Sequence, residues 1–237
     1  MNAAEMAGGA AVVTAAGFLG YASRAPSCTW LAPSVYRGDP ARRAIALTFD
    51  DGPSESTPEL LRILKQYHVP ATFFQCGRSV RRLPEIARQV LAEGHLIGNH
   101  TDSHAFLWLR SPSCIYRQMA TAQDAIEEAI GERPRWFRPP FGARWFGLAA
   151  AQQSLGLNSV LWSTIGKDWK WPADRIVARL MRGADNGAIF CLHDGRLLRV
   201  RPDISATLEA VRRIMPALLE KGFRFETVSD ILCPTTT

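Results

Sequence analysis

No two of the five cysteines, at positions 28, 76, 114, 191 and 233, form a CxxC pair, which excludes a zinc ribbon. Their odd number argues against a complete disulfide framework. Cys76 and Cys191 lie inside apolar runs and read as small buried hydrophobes. The chain has no internal repeat and no low-complexity tract, so extended disorder is not expected. Dense basic runs are also missing. RSVRR (78–82) and RLLRVR (196–201) are short, and no nucleic-acid motif with interleaved aromatics accompanies them. The 28 basic against 22 acidic residues, a formal charge of +6, therefore read as a mildly basic solvated surface, and nucleic acid is not an expected partner.

What is there is a sizeable core. The chain has 237 residues, 47% of them hydrophobic and 21% charged. Residues 6–23, MAGGAAVVTAAGFLGYAS, carry no charge and reach the lower length limit of a membrane span. They suit an export signal or a membrane anchor. Their alanine and glycine content, and Glu5 before them, leave a soluble helix as the other reading. The expected organisation is an N-terminal segment over 1–30, a linker over 31–43, a catalytic domain over 44–232 and a tail over 233–237.

From Ala44 onward, strand and helix patterns alternate. Short apolar runs rich in β-branched or aromatic residues predict strands at 44–49, 71–76, 95–99, 135–138, 159–163, 188–193 and 223–228. Between them lie helical patterns. STPELLRILKQYH (56–68) opens with a Ser/Thr cap and an early Pro, LPEIARQVLAEG (83–94) ends in Gly, and 111–131 is capped at both ends. Further helical patterns begin near 146, 173 and 206. Alternating β and α predicts a parallel sheet, open or closed into a barrel, with any site at the carboxyl ends of the strands.

Reactive side chains gather at those ends. ALTFDDGPSE (46–55) places Asp50 and Asp51 side by side before Gly52-Pro53. The third strand runs into His100 and His104, whose spacing of four puts two imidazoles on one side of a helical turn, able to grip one ion. Later strands end in Arg138 (FRPPFG), Asp168-Trp169 (WSTIGKDW) and His193-Asp194-Gly195 (CLHDG). One such end has a structural explanation as a cap or core histidine. Five at one mouth point to a reactive site.

The ordered set TFDDGP, HTDSH, RPPFG, DW and LHDG resembles the polysaccharide deacetylases, carbohydrate esterase family 4, from about Ala44 to Val228. The resemblance implies a distorted, incomplete (β/α) barrel of about seven parallel strands. It implies a hydrolase that uses one divalent metal to remove N-acetyl or O-acetyl groups from a polysaccharide. Asp51, His100 and His104 resemble the metal triad. Zinc is the leading ion, and cobalt, nickel or manganese also suit these borderline ligands. Asp50 resembles the general base for water attacking the acetyl carbonyl, and Arg138 the group that orients it. His193 resembles the general acid, held by Asp168. A backbone N–H near Phe141 would help to stabilise the oxyanion, and Trp169 and Leu192 resemble the lining of the acetyl-methyl pocket.

Two positions depart from the family pattern. Ile165 stands where many members carry an acid, and Phe141 where Tyr is common. His95 and His68 read as structural, Asp102 as a loop hydrogen-bonding residue, and Asp194 as either a partner behind the site or a turn cap. The implied substrate is an N-acetylglucosamine-containing glycan such as chitin oligomers or peptidoglycan, handled in the cell envelope or outside the cell. Alternatives are O-deacetylation of acetylxylan, deacylation of a polyprenyl-linked sugar at a membrane, or a carbohydrate-binding protein with a dead site. Trp108 and Trp145 suit either sugar stacking or core packing.

Overall fold

A computed structural model describes residues 16–232 of the chain. The second strand, β2 (Ala44–Asp50), is buried along its whole length, as its unbroken apolar run demands. Its pleat sends alternate side chains to opposite faces. Ile45, Leu47 and Phe49 enter a large core against the surrounding helices, while Ala44 and Ala46 join a smaller inner cluster with Phe74, Trp136, Val160 and Ile189. Strand β8 (Ala188–His193) lies parallel to β2 in register, with Asp50 opposite His193. It divides in the same way, with Ala188, Phe190 and Leu192 outward and Ile189 inward.

Around β2 the parallel strands run in the order β1 (Ser34–Val35), β6 (Asn158–Val160), β5 (Trp136–Phe137), β4 (Leu96–Asn99), β3 (Thr72–Gln75), β2, β8 and β7 (Thr164–Ile165). Strand β9 (Arg224–Glu226) pairs with the first half of β2, below β3. The path does not close between β1 and β7, so the barrel is incomplete, as expected. The sequence reading found seven of these nine strands. It missed β7, and it took as linker the stretch that contains β1.

The helices cover the outside. They are α1 (16–24), α2 (Thr57–Gln66), α3 (Gly77–Arg82), α4 (Pro84–Ala92), α5 (Pro112–Ile130), α6 (Leu148–Leu155), α7 (Ala173–Arg182), α8 (Ser205–Glu220) and α9 (Val228–Leu232). Val228 and Ile231 of α9 pack into the inner cluster and floor the barrel. Helix α5 has both expected caps, Ser111 accepting from the Cys114 N–H and Gly131 in the left-handed region at φ 76°. At α2 the expected Ser56 cap does not form, because the Ser56 hydroxyl donates to the Pro202 carbonyl instead.

Among the described residues no helix is long and apolar enough to cross a membrane. Much of the charge-free stretch 6–23, and the tail 233–237, lie outside the described residues.

Candidate active site

The inward half of the pleat carries the site. Above the apolar floor, Thr48, Asp50, Cys191 and His193 follow one another on the inner faces of β2 and β8. Arg138, just past β5, fills the centre with no surface exposed. Its guanidinium donates to Asp50 Oδ1 at 2.8 Å, to the Thr48 hydroxyl at 2.6 Å, and to the carbonyls of Val160 and Leu161 at 3.0 and 2.9 Å. It also lies over the Phe74 ring at 4.2 Å. One charge-assisted bond therefore fixes Asp50 and leaves Oδ2 facing the cavity, 4.0 Å from His100 Nε2 and 3.5 Å from the Cys191 sulfur.

Asp51, His100 and His104 converge beside it. Asp51 Oδ1 lies 3.4 Å from His100 Nε2 and 2.9 Å from His104 Nε2. The His100 Nδ1 contacts the Arg138 carbonyl at 2.6 Å, which assigns its proton there and leaves a lone pair on Nε2. Asp51 Oδ1 and His104 Nδ1 are buried and make no well-directed hydrogen bond. Burial alone would raise the Asp51 carboxyl, but contacts from His100 and His104 hold it well below the usual carboxylate range. A buried carboxylate facing two imidazole nitrogens, with ligand atoms all within 4.8 Å, fits one divalent cation.

The expected helical turn under the two histidines does not exist. His100 to His104 is an irregular bend, and His104 reaches the triad through a left-handed φ of 54°.

Across the cavity, Asp168 holds His193 twice. One carboxylate oxygen contacts His193 Nδ1 at 2.9 Å. The other accepts the His193 backbone N–H at 2.8 Å and the Thr207 hydroxyl at 2.7 Å. Burial by itself would lower the imidazole pKa, but the Asp168 charge and hydrogen bond outweigh it and raise it to about 9. Asp194 sits behind the site, accepting from the Thr57 hydroxyl at 2.6 Å, while its carbonyl accepts from Ser54. This ties the end of β8 to the loop after β2, so it acts as a partner behind the site. Burial, with the Asp51 and Asp50 charges, pushes it up to about 7.

Asp50, Asp51, His100, His104 and His193 line a cavity of about 560 Å³, whose walls include Phe141, Trp162, Ile165 and Trp169. Trp169 meets the His193 ring edge-on at 5.0 Å, and Phe141 meets His104 at 4.7 Å. A cavity of about 720 Å³ near Arg133 and Trp136 contains none of the site residues. Leu192 is a correction. It is fully buried in the outer core, because the pleat that turns His193 inward turns Leu192 out. Cys191 lines the cavity in its place.

Further residues were missed, among them Cys191, Arg24 and Arg144. Arg24 lines the cavity from the N-terminal segment, and Arg144 fastens that segment down. Cys191 was legible from the period of two; the other two left no local signal. His95, Asp102 and His68 behave as expected. His95 accepts from the Ala71 N–H, and burial depresses its pKa to about 4. Asp102 pairs with Arg81, and His68 is exposed just past α2.

The sequence model of the polysaccharide deacetylase family matches residues 37–160, and this chain belongs to that family. It is 37% identical over 208 residues to a peptidoglycan-N-acetylglucosamine deacetylase of Bacillus cereus, covering 86% of this chain and 92% of the relative. It is 36% identical over 198 residues to a chitooligosaccharide deacetylase of Bradyrhizobium, covering 80% and 90%. Among solved structures, the Bc1960 peptidoglycan N-acetylglucosamine deacetylase superposes with a TM-score of 0.78 at 31% identity, covering 85% of this chain and 94% of that one. A family pseudoenzyme from Bacillus anthracis also superposes, with a TM-score of 0.76 at 28% identity, covering 84% and 68%.

Proposed function

We propose that this chain is a metal-dependent hydrolase that removes N-acetyl groups from N-acetylglucosamine units of a glycan. One observation carries the reading. Asp50, fixed by Arg138, stands beside the Asp51–His100–His104 triad and across a cavity from the His193–Asp168 pair. A dead binding site would lack one of these parts. A divalent ion in the triad, zinc first, supplies Lewis acidity toward the acyl oxygen and lowers the pKa of water.

The chain's own groups supply the proton transfers. Asp50 takes a proton at Oδ2 from the attacking water, since Oδ1 is committed to Arg138. His193, its Nδ1 held by Asp168, gives a proton from Nε2 to the leaving nitrogen. Trp169 and Phe141 flank the acyl group, and the Phe141 N–H helps to hold its oxygen.

The rim favours an acidic glycan. Arg24, Lys167, Arg196 and Arg199 line the same cavity and suit the lactyl and peptide carboxylates of peptidoglycan better than neutral chitin. Such a substrate is met in the cell envelope or outside the cell, which is the location this reading expects.

The test is acetate release from N-acetylglucosamine oligomers, peptidoglycan and acetylxylan, after chelation and after adding back zinc or cobalt. Metal-restored release from the amino-sugar substrates is expected. Release from acetylxylan alone would make the protein an O-deacetylase. No release with metal bound would overturn the reading.

A further inference from the structure

The N-terminal segment 16–30 is built into the mouth of this cavity. Its anchor is Arg144, which has no exposed surface. The Arg144 guanidinium donates to the carbonyls of Ser23, Ala25 and Cys28 and to the Ser34 hydroxyl. The Arg144 N–H donates to the Ser23 carbonyl at 3.0 Å, and the Ser23 hydroxyl returns a bond to the Arg144 carbonyl at 2.9 Å. Ser23 and Ala25 lie at the end of α1, where the helix presents its negative pole to this cation. The anchorage sets Arg24 among the residues lining the Asp50–Asp51 cavity.

From the same mouth, aromatic rings continue outward in unbroken contact. Phe141, against His104, touches Phe106 at 5.6 Å, and Phe106 stacks on Trp108 at 6.4 Å. Trp108 stacks on Trp145 at 5.5 Å, and Trp145 meets Phe146 edge-on at 5.1 Å. Phe146 then meets Trp30, and Trp30 meets Phe18, both on the N-terminal segment. Phe106, Phe141, Phe146, Trp30 and Phe18 are exposed, Trp30 to 57%. Trp108 and Trp145 between them are half-buried, with Trp145 packed on the core, so the row is exposed at both ends and continuous through its middle; an aromatic surface of this kind marks a binding site. Its inner end touches a triad histidine, and this continuity selects the occupant.

Resting on the reading above, we infer that segment 16–30 forms the outer wall of an extended glycan subsite. Sugar units of the strand whose N-acetyl group enters the cavity stack along the Phe141-to-Trp30 row. The row makes the protein selective for long strands over short oligomers. Trp30 and Phe146 are specificity-determining residues, remote from the reacting atoms.

The experiment compares metal-loaded full-length protein with Trp30→Ala, Phe146→Ala and Trp30→Phe on the N-acetylglucosamine dimer and hexamer. The alanine variants are expected to lose roughly tenfold in kcat/KM on the hexamer, with the dimer unchanged within about twofold and Trp30→Phe near wild type. Equal losses on both substrates, or no loss on the hexamer, would overturn the inference. Should the wild type release no acetate from either, nor from peptidoglycan, the deacetylase reading fails by itself. Calorimetric binding of the hexamer then decides the surface, with weaker binding by Trp30→Ala supporting it and equal binding overturning it. Anionic phospholipid vesicles provide the last arm. Vesicle binding lost in Trp30→Ala, with hexamer kinetics intact, would make this a membrane face and refute the glycan subsite.

Discussion

Replacing Asp168 by Asn tests the proton donor directly. The substitution keeps the shape of the side chain and removes its charge. In the native site that charge raises His193 from its ordinary 6.5 to about 9 against an opposing burial effect. The gap corresponds to roughly 3 kcal/mol of preference for the charged ring. Without it, burial has no opponent beyond the more distant Asp51 and Asp50, and His193 is neutral near pH 7. A cation in the triad moves both proteins downward together, so the difference between them is the quantity to read. In the wild type, kcat/KM should fall on an alkaline limb as His193 loses its proton. In Asp168→Asn that limb should move toward neutrality by more than one pH unit, with a loss on the order of 10²–10⁴ in kcat at neutral pH. The stability effect has the same origin. A pKa raised on folding stabilises the protein fully below the unfolded value near 6.5, and the benefit disappears as pH rises through about 9. The stability difference between wild type and variant should therefore narrow above pH 9. An alkaline limb unmoved in Asp168→Asn would refute the assignment of His193 as the acid.

Asp50→Asn should lose on the order of 10²–10⁴ in turnover while calorimetry still detects metal binding, and undiminished turnover would remove Asp50 as the base. Arg138→Met strips a buried carboxylate of its cation, and denaturant unfolding should record a loss of about 3–5 kcal/mol; an unchanged midpoint would contradict that. Deleting residues 1–27 removes the Ser23 and Ala25 carbonyls from the buried Arg144, each bond to the charged group being worth about 1.5–3 kcal/mol, whereas deleting 1–15 leaves both in place. Thermal melts should separate the two truncations, and equal melting temperatures would show that the anchorage carries no stability.

Legibility in the sequence followed the range of the forces. Long apolar runs such as AIALTF and AIFCLH declare buried strands because both faces are covered. β1 and β7, two residues each, are too short to display any period, and pairing with β6 and β8 alone makes them strands. Helix α3 hides in GRSVRR because its buried positions are Gly77, Ser79 and Val80, small enough to blur the apolar stripe. The site residues were legible because parallel α/β architecture concentrates chemistry at strand ends. Arg144 and Arg24 were not, since their roles depend on contacts between segments 121 residues apart. Cys191 and Leu192 needed only the strand period, because if His193 faces the cavity its neighbour cannot and the residue two before it must.

The adjacent pair Asp50-Asp51 follows from the same period, broken once. A continued strand would send Asp51 to the side opposite Asp50, into the helix layer. Asp51 instead adopts a left-handed φ of 75°, which brings its carboxylate to the cavity that Asp50 already faces. His104, Phe141, Lys167 and Leu197, which line the same cavity, also carry positive φ, at 54°, 59°, 56° and 46°. A non-glycine residue held in this region costs on the order of 1–3 kcal/mol, so five around one cavity are sustained only by contacts that over-determine them. The glycines supply the room. A Cβ at Gly52 would lie 2.3 Å from the Asp194 carboxylate, and one at Gly195 would lie 2.4 Å from the Asp51 backbone. The loops after β2 and β8 can therefore touch only where both are glycine. That contact divides the two charges. Asp50 is matched by Arg138 at 2.8 Å, and Asp51 is left to the histidines and to the cation they jointly fit. Two neighbouring carboxylates are stable here because Arg138 matches one, and the two histidines, with the cation that the triad fits, would match the other.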